Sequence, residues 1–308
     1  MDSKKISLLS SYTTLKIGGG VKNLFFVHNH KELIVALKSC ARLRLPFFIL
    51  GEGSNILAAD SGYKGVVIKI EGSKIQVEGE DITVDAGVLV RNVVNVAQKN
   101  ELAGFEWATG IPGTMGAAAY GNIGAFGSTM AGNVKLVEAL NAKTFKTKKL
   151  SLKECKFGNK ESIFKKNKNL IILSVTISLT KGDPLDINKE IRRFSDYRRN
   201  NHPLELPSAG CIFKNYEKKI TDQKLLEKYP ELVEFNKGSR IPISYLIDKC
   251  GLKGKIIGKA QVSQKHANFI VNLGGAKASD VVKLIRMIKK KVKDKFNIKL
   301  MEEVQYLK

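Results

Sequence analysis

The 308-residue chain is short of cysteine, tryptophan and acidic residues, and each shortage excludes something. Its four cysteines (Cys40, Cys155, Cys211 and Cys250) stand far apart, with no C-x-x-C pair and no histidine spacing of a zinc site. A disulfide-stapled scaffold and a bound metal are therefore not expected. No apolar run approaches the roughly 18 residues of a membrane-spanning helix. Residues 1–6 lack the apolar stretch of a signal peptide. Together these absences predict a cytoplasmic protein without a membrane partner. Two nucleotide motifs are missing as well. No segment reads G-x-x-x-x-G-K-[ST], and where a Rossmann fingerprint opening at Gly51 and Gly53 needs glycine, the chain has Ile56.

Acids are outnumbered: 29 Asp and Glu face 52 Lys and Arg, for a net charge of +23. Only nine of the bases are arginine. Bidentate reading of bases and phosphates favours arginine, so this surface reads as solvated lysine rather than a nucleic-acid face. The lysine run at 289–295 carries no aromatic for base stacking. The charge is read mostly as a general property of the surface, with some focusing of an anionic small substrate and no nucleic-acid partner expected. The competing reading, a nucleic-acid-binding protein, predicts salt-sensitive retention on DNA.

What the chain does have is two glycine-rich stretches. One is Leu50-Gly51-Glu52-Gly53-Ser54-Asn55-Ile56-Leu57, the other Gly110-Ile111-Pro112-Gly113-Thr114-Met115-Gly116-Ala117. Backbone without Cβ atoms can bring its N–H groups against phosphate oxygens. Either stretch alone reads as a tight turn between strands. As a pair, with Ser54, Asn55 and Thr114 adding side-chain donors, they point to a ligand with two phosphates, a dinucleotide first.

Residues 31–45 place Leu33, Ile34, Leu37, Cys40 and Ala41 at helical spacing, and a strand at 46–50 leads into the first glycine stretch. Strands are predicted at 66–70, 74–78, 82–86, 134–139 and 170–179, with a helix at 88–98. Near Asn200 the Pro-marked segments Asn200-Asn201-His202-Pro203 and Leu206-Pro207-Ser208 open a second α/β segment. It carries a helix near 242–249, a strand at 269–273 and an amphipathic helix at 279–296. Ser279 is the expected N-cap of that last helix, with Asp280 in its first turn. The class is α/β (α+β).

Several blocks carry a family resemblance over almost the whole chain. They begin with Thr13-Thr14-Leu15-Lys16-Ile17-Gly18-Gly19 and the 50–57 stretch. The most distinctive is Gly104-Phe105-Glu106-Trp107-Ala108-Thr109-Gly110-Ile111-Pro112-Gly113-Thr114, with Asn122-Ile123-Gly124-Ala125-Phe126-Gly127. Ser208-Ala209-Gly210-Cys211-Ile212-Phe213-Lys214-Asn215 and Gly251-Leu252-Lys253-Gly254 follow. Ala260-Gln261-Val262-Ser263-Gln264-Lys265-His266-Ala267-Asn268-Phe269-Ile270 and Glu302-Glu303-Val304 complete the set. In this order they resemble the UDP-N-acetylenolpyruvoylglucosamine reductase family of flavoenzymes.

The resemblance implies an FAD-binding fold of the vanillyl-alcohol-oxidase/PCMH type in two subdomains, with a smaller α/β substrate-binding domain. The implied boundaries are 1–199 for the FAD-binding domain (subdomains about 1–65 and 66–199) and 200–299 for the substrate-binding domain. A C-terminal segment, 300–308, carries a glutamate. FAD would be gripped by Gly51, Gly53, Ser54, Asn55, Gly110, Ile111, Pro112, Gly113, Thr114, Gly116 and Ala117. NADPH would reduce it, and UDP-N-acetylglucosamine enolpyruvate would be reduced to UDP-N-acetylmuramate for peptidoglycan synthesis by a monomer or weak oligomer.

The resemblance also assigns roles. Cys211 stands at the position of the proton donor, where many relatives carry serine; a thiol has an intrinsic pKa of roughly 8.5 and passes protons readily. Glu303 matches a catalytic glutamate, and Asn215 a substrate-contacting amide. Relatives carry Tyr-Arg where this chain has Asn159-Lys160, so either Lys160 serves as a point charge at the substrate carboxylate or Arg198 or Arg199 compensates. His202 replaces a usual glutamine. Only about a dozen residues separate Leu179 from Arg192, which places the chain in the shorter type without the tyrosine-loop insertion. Lys253, Lys255 and Lys265 are candidates for the diphosphate by charge alone. Another flavin oxidase or dehydrogenase on the same scaffold, and an FAD-binding remnant without catalysis, are the alternatives within the class.

Overall fold

The computed structural model describes residues 2–238 and 240–308. Met1, where the expected first domain begins, and Ser239, inside the expected second, lie outside them. The chain divides into two compact units: one of residues 1–7, 21–53 and 63–200, the other of 8–20, 54–62 and 201–308.

The two largest sheets of the first unit have four and five strands. A four-stranded sheet has the order Asp2–Leu8, Gly20–Val27, Tyr63–Ile70, Phe47–Leu50. Its last three strands run parallel, with Leu24 opposite Val67 and Ile49 opposite Ile68. The helix His30–Leu43 makes the crossover from Gly20–Val27 to Phe47–Leu50, the two strands that flank Tyr63–Ile70. It starts where Asn29 accepts from the Glu32 N–H and Glu32 accepts from the His28 N–H, a reciprocal cap. Leu33, Ala36, Leu37 and Cys40 pack on Val66 and Ile68, the face that helical spacing predicts.

The second sheet is antiparallel, with the order Thr147–Ser151, Val134–Asn141, Leu170–Ser178, Asp81–Asp85, Ile75–Glu78. The helices Val90–Lys99 and Met115–Gly121 bury Val90, Val93, Ala118 and Ala119 among its residues. From Ser178 only residues 179–183 lead to the helix Pro184–Asn201, a connection too short for an inserted subdomain.

In the other unit the strands Ser208–Cys211, Phe269–Asn272, Ala260–Val262 and Ile256–Ile257 form an antiparallel sheet in that order. The helix Ala278–Phe296 lays Val281, Leu284, Ile285, Ile288 and Val292 into the core of this unit. Leu15, Ile17 and Leu57 share that core. The strand Gln305–Leu307 runs parallel to Ile56–Ala58.

One helix start differs from expectation. Lys277, not Ser279, is the N-cap, and the helix begins at Ala278. The N–H groups of Ala278 and Ser279 are taken by the carboxylate of Asp60, at 2.6 and 3.0 Å. A carboxylate brought by the fold meets both unpaired donors and the positive end of the helix dipole, so a local serine cap is not needed. Among the described residues no helix is long and apolar enough to cross a membrane.

Candidate active site

Within the first unit the two glycine stretches meet. A Cβ at Gly51 would lie 2.6 Å from Thr114 Oγ1 and 3.4 Å from Ala117 Cβ, so glycine is what leaves room there for the Thr114 side chain. Thr114 caps the helix Met115–Gly121 by accepting from the Ala117 N–H. The stretch is held from beneath: the N–H groups of Met115 and Gly116 donate to Val88 and Ala86, and that of Val90 donates to Gly113. A Cβ on Gly116 would collide with Ala86 at 2.7 Å, which fixes glycine there for packing. Gly110, at φ +72°, lies against Arg198, whose Nε donates to the Thr109 carbonyl at 2.7 Å. Gly53 and Gly113 also adopt positive φ, while Ile111 is half-buried and Pro112 exposed at the surface of the loop. Thr109 Oγ1 is buried and has no hydrogen-bond partner among the described residues.

Lys160 belongs to this unit too. It sits at φ +54° in a tight turn closed by reciprocal backbone bonds between Gly158 and Glu161. Asn122, buried and left-handed at the end of the 115–121 helix, donates its amide to the Gly158 carbonyl at 2.8 Å. Ser162 donates to the Tyr120 carbonyl at 2.7 Å while capping the next helix. The turn bearing Lys160 is thus tied to the helix that the second glycine stretch begins. Burial pushes the Tyr120 phenol up, helped by the charge of Glu161.

Cys211, Glu303 and Asn215 lie in the other unit, together with Ser54 and Asn55. Cys211 ends its strand opposite Phe269, after an irregularity at Gly210, where φ is +73°. The C-terminal segment joins the backbone just beyond: Glu303 N–H donates to the Ile212 carbonyl at 2.8 Å and Lys214 N–H to the Met301 carbonyl at 2.9 Å. Chain positions 211 and 303 are thereby linked through one residue, Ile212. Both side chains are half-buried.

Glu302, next along, is occupied otherwise. Its carboxylate takes Lys289 Nζ at 2.8 Å and the Tyr306 hydroxyl at 2.6 Å. Burial works against its charged form, but these two donors outweigh it and hold the carboxyl below the ordinary range. Asn55 donates its amide to the Glu303 carbonyl at 3.1 Å, and the Gln305 N–H donates to the Asn55 carbonyl at 2.9 Å. Its side-chain oxygen is buried without a partner among the described residues. Asn215 accepts from the Ile243 N–H at 3.2 Å, so its carboxamide oxygen helps start the helix Ile243–Lys249.

The His266 ring packs edge-on against Phe269 and His202, and burial pulls its pKa down to about 4. The imidazole is neutral at pH 7. Asn268 carries no recognisable motif of its own, although an asparagine inside an apolar run is itself a signal of a buried hydrogen-bonding task. No group of His, Cys, Asp and Glu among the described residues could hold a metal ion.

Residues 21–143 match the family "FAD binding domain", and residues 202–307 match "UDP-N-acetylenolpyruvoylglucosamine reductase, C-terminal domain". A UDP-N-acetylenolpyruvoylglucosamine reductase of Caldanaerobacter subterraneus subsp. tengcongensis is 38% identical over 301 residues, covering 96% of this chain and 91% of the relative. One from Fervidobacterium nodosum is 37% identical, covering 97% and 90%. The crystal structure of the Thermus caldophilus enzyme superimposes with a TM-score of 0.79 at 29% identity, over 100% of both chains. The chain therefore belongs to the UDP-N-acetylenolpyruvoylglucosamine reductase family and is a flavin-dependent oxidoreductase with an α/β FAD-binding domain.

Proposed function

We propose that the chain oxidises NADPH and reduces UDP-N-acetylglucosamine enolpyruvate to UDP-N-acetylmuramate, with FAD as carrier, in the cytoplasm and as a monomer or weak oligomer. The residues present fit FAD. The close approach at Gly51 and Thr114 suits a pyrophosphate, and the partnerless Thr109 hydroxyl and Asn55 oxygen are polar atoms a ligand would satisfy. Bound FAD supplies a two-electron acceptor for the nicotinamide and a hydride donor for the enolpyruvyl β-carbon.

In this reading residues 21–143 supply most of the cofactor grip: Gly51 and Gly53, then Gly110 to Thr114, Gly116 and Ala117, with Ser54 and Asn55 continuing the first loop. The C-terminal unit binds the sugar nucleotide. Hydride arriving at the β-carbon drives negative charge toward the α-carbon and its carboxylate. Cys211 gives its thiol proton to the α-carbon, completing the lactyl ether. Glu303 orients that transfer and later returns a proton to the thiolate from solvent. Lys160 neutralises the substrate carboxylate as a point charge, and the amide N–H of Asn215 holds the substrate.

The observation that carries the reading is the link through Ile212, which ties the backbone of the candidate proton donor to that of the glutamate. Its test is the pair Cys211→Ser and Cys211→Ala. Both should bind FAD and be reduced by NADPH like the wild type. Reoxidation by substrate should stay within about tenfold for serine and fall by roughly 10²–10⁴-fold for alanine. Undiminished reoxidation in Cys211→Ala would remove the thiol from the mechanism.

A further inference from the structure

Asn268 is buried, with 3% of its surface exposed, and every polar atom of its side chain is committed to one residue. The Phe213 N–H donates to Asn268 Oδ1 at 2.9 Å, and Asn268 Nδ2 donates to the Phe213 carbonyl at 2.8 Å. The Ile212 N–H donates to the Asn268 backbone carbonyl at 2.8 Å. The carboxamide thus pairs with Phe213 as a neighbouring strand would, donor to acceptor and acceptor to donor. It does so where the ladder between 208–211 and 269–272 has stopped.

The other side of the same backbone carries the C-terminal segment: Ile212 accepts from Glu303, Lys214 donates to Met301, and Phe213 stands opposite Glu302. Residues 212–214 are therefore a middle rung. Asn268 fixes one side, the glutamate segment the other, and Cys211 is one residue back along the chain. A buried backbone pair without a partner is costly, so nothing apolar at 268 can keep this rung in place.

We propose that Asn268 is a positioning residue that sets the spacing between Cys211 and Glu303 by clamping the backbone of Phe213. The inference rests on the proton-transfer reading of those two residues. Only an amide or a neutral carboxylic acid of the same length can both donate to and accept from Phe213. Leucine, of similar volume, can do neither.

The test uses Asn268→Leu and Asn268→Asp in the full-length FAD-loaded enzyme, followed as separate half-reactions at saturating substrate. Reduction by NADPH should be unchanged in both. Reoxidation by UDP-N-acetylglucosamine enolpyruvate should slow by about tenfold or more in Asn268→Leu at every pH. In Asn268→Asp it should be slow while the carboxyl is ionised and recover toward the wild-type rate as pH falls and the buried acid regains a donor. Rates taken as a ratio to the wild type cancel the titration of Cys211, His266, Glu302 and Glu303. Hydrogen exchange at the Glu303 amide should accelerate in Asn268→Leu, with no change at amides of the 90–99 helix.

Unslowed reoxidation in a folded Asn268→Leu enzyme would overturn the proposal. So would a pH-independent ratio in Asn268→Asp, or equal slowing of both half-reactions. If the wild-type flavin were not reoxidised at all, the functional reading would fail and this inference with it. That case is recognisable because the Glu303 amide would still exchange faster in Asn268→Leu.

Discussion

His266 shows what burial does to a single titratable group. Its imidazole is packed against Phe269 and His202, and desolvation holds its pKa at about 4, well under the ordinary value of about 6.5. A neutral form favoured by the fold stabilises the protein above the unfolded-state pKa, and that contribution is lost as pH falls through 6.5 toward 4. We expect wild-type thermal stability to drop across this window by an amount on the order of 1–3 kcal/mol more than in His266→Phe. Parallel melting curves for the two proteins from pH 7 to pH 4 would contradict it. The residue scale is also where the sequence was most informative. Gly51, Gly110 and Gly113 stand out in the sequence because backbone without Cβ in two separated runs has few uses, and Thr114 stands out as a side-chain donor beside them. Their mutual approach does not, because nothing local says that Gly51 faces Thr114. Nor did the sequence disclose that Asn55 reaches the carbonyl of Glu303, a contact spanning some 248 positions.

Elements with strong periodicity were legible nearly to their ends. The helix expected at 31–45 is His30–Leu43, and the strands expected at 82–86 and 170–179 are Asp81–Asp85 and Leu170–Ser178. The helices Met115–Gly121 and Pro184–Asn201 were not foreseen. The first is built of small residues in a segment that reads as a loop, and the second buries only Ile187, Phe194 and Arg198. The start of the 278–296 helix differs from expectation for a related reason: the carboxylate that takes its first N–H groups is Asp60, about 218 positions away. Asp60→Ala should therefore cost about 1–2 kcal/mol, while Ser279→Ala stays within about 0.5 kcal/mol of wild type. Chemical denaturation of both variants decides the matter; a larger loss from Ser279→Ala would reverse the assignment.

At the level of the whole molecule, a break near Asn200 was visible in the prolines, but the mixed composition of the units was not. Leu15, Ile17 and Leu57 pack into the core of the unit that holds residues 201–308. Thr14 donates its hydroxyl to the Ser208 carbonyl, and Asn272 donates to the carbonyl of Leu15. Such pairings leave no local trace, because each segment alone is an unremarkable turn or short strand. A fragment of residues 201–308 lacks these partners and the parallel strand Ile56–Ala58. We expect it to melt without a cooperative transition; sharp two-state unfolding near the temperature of the full chain would show that the early segments are dispensable.

The charge of +23 belongs to this scale as well, and under the proposed function its use is to draw in an anionic nucleotide substrate. The most direct measurement is anaerobic stopped-flow absorbance of the purified flavoprotein, mixed first with NADPH and then with UDP-N-acetylglucosamine enolpyruvate. Bleaching of the flavin followed by full recovery, with UDP-N-acetylmuramate as product, is the predicted result. Bleaching that the sugar nucleotide does not reverse would contradict the proposed function while leaving the flavin fold in place.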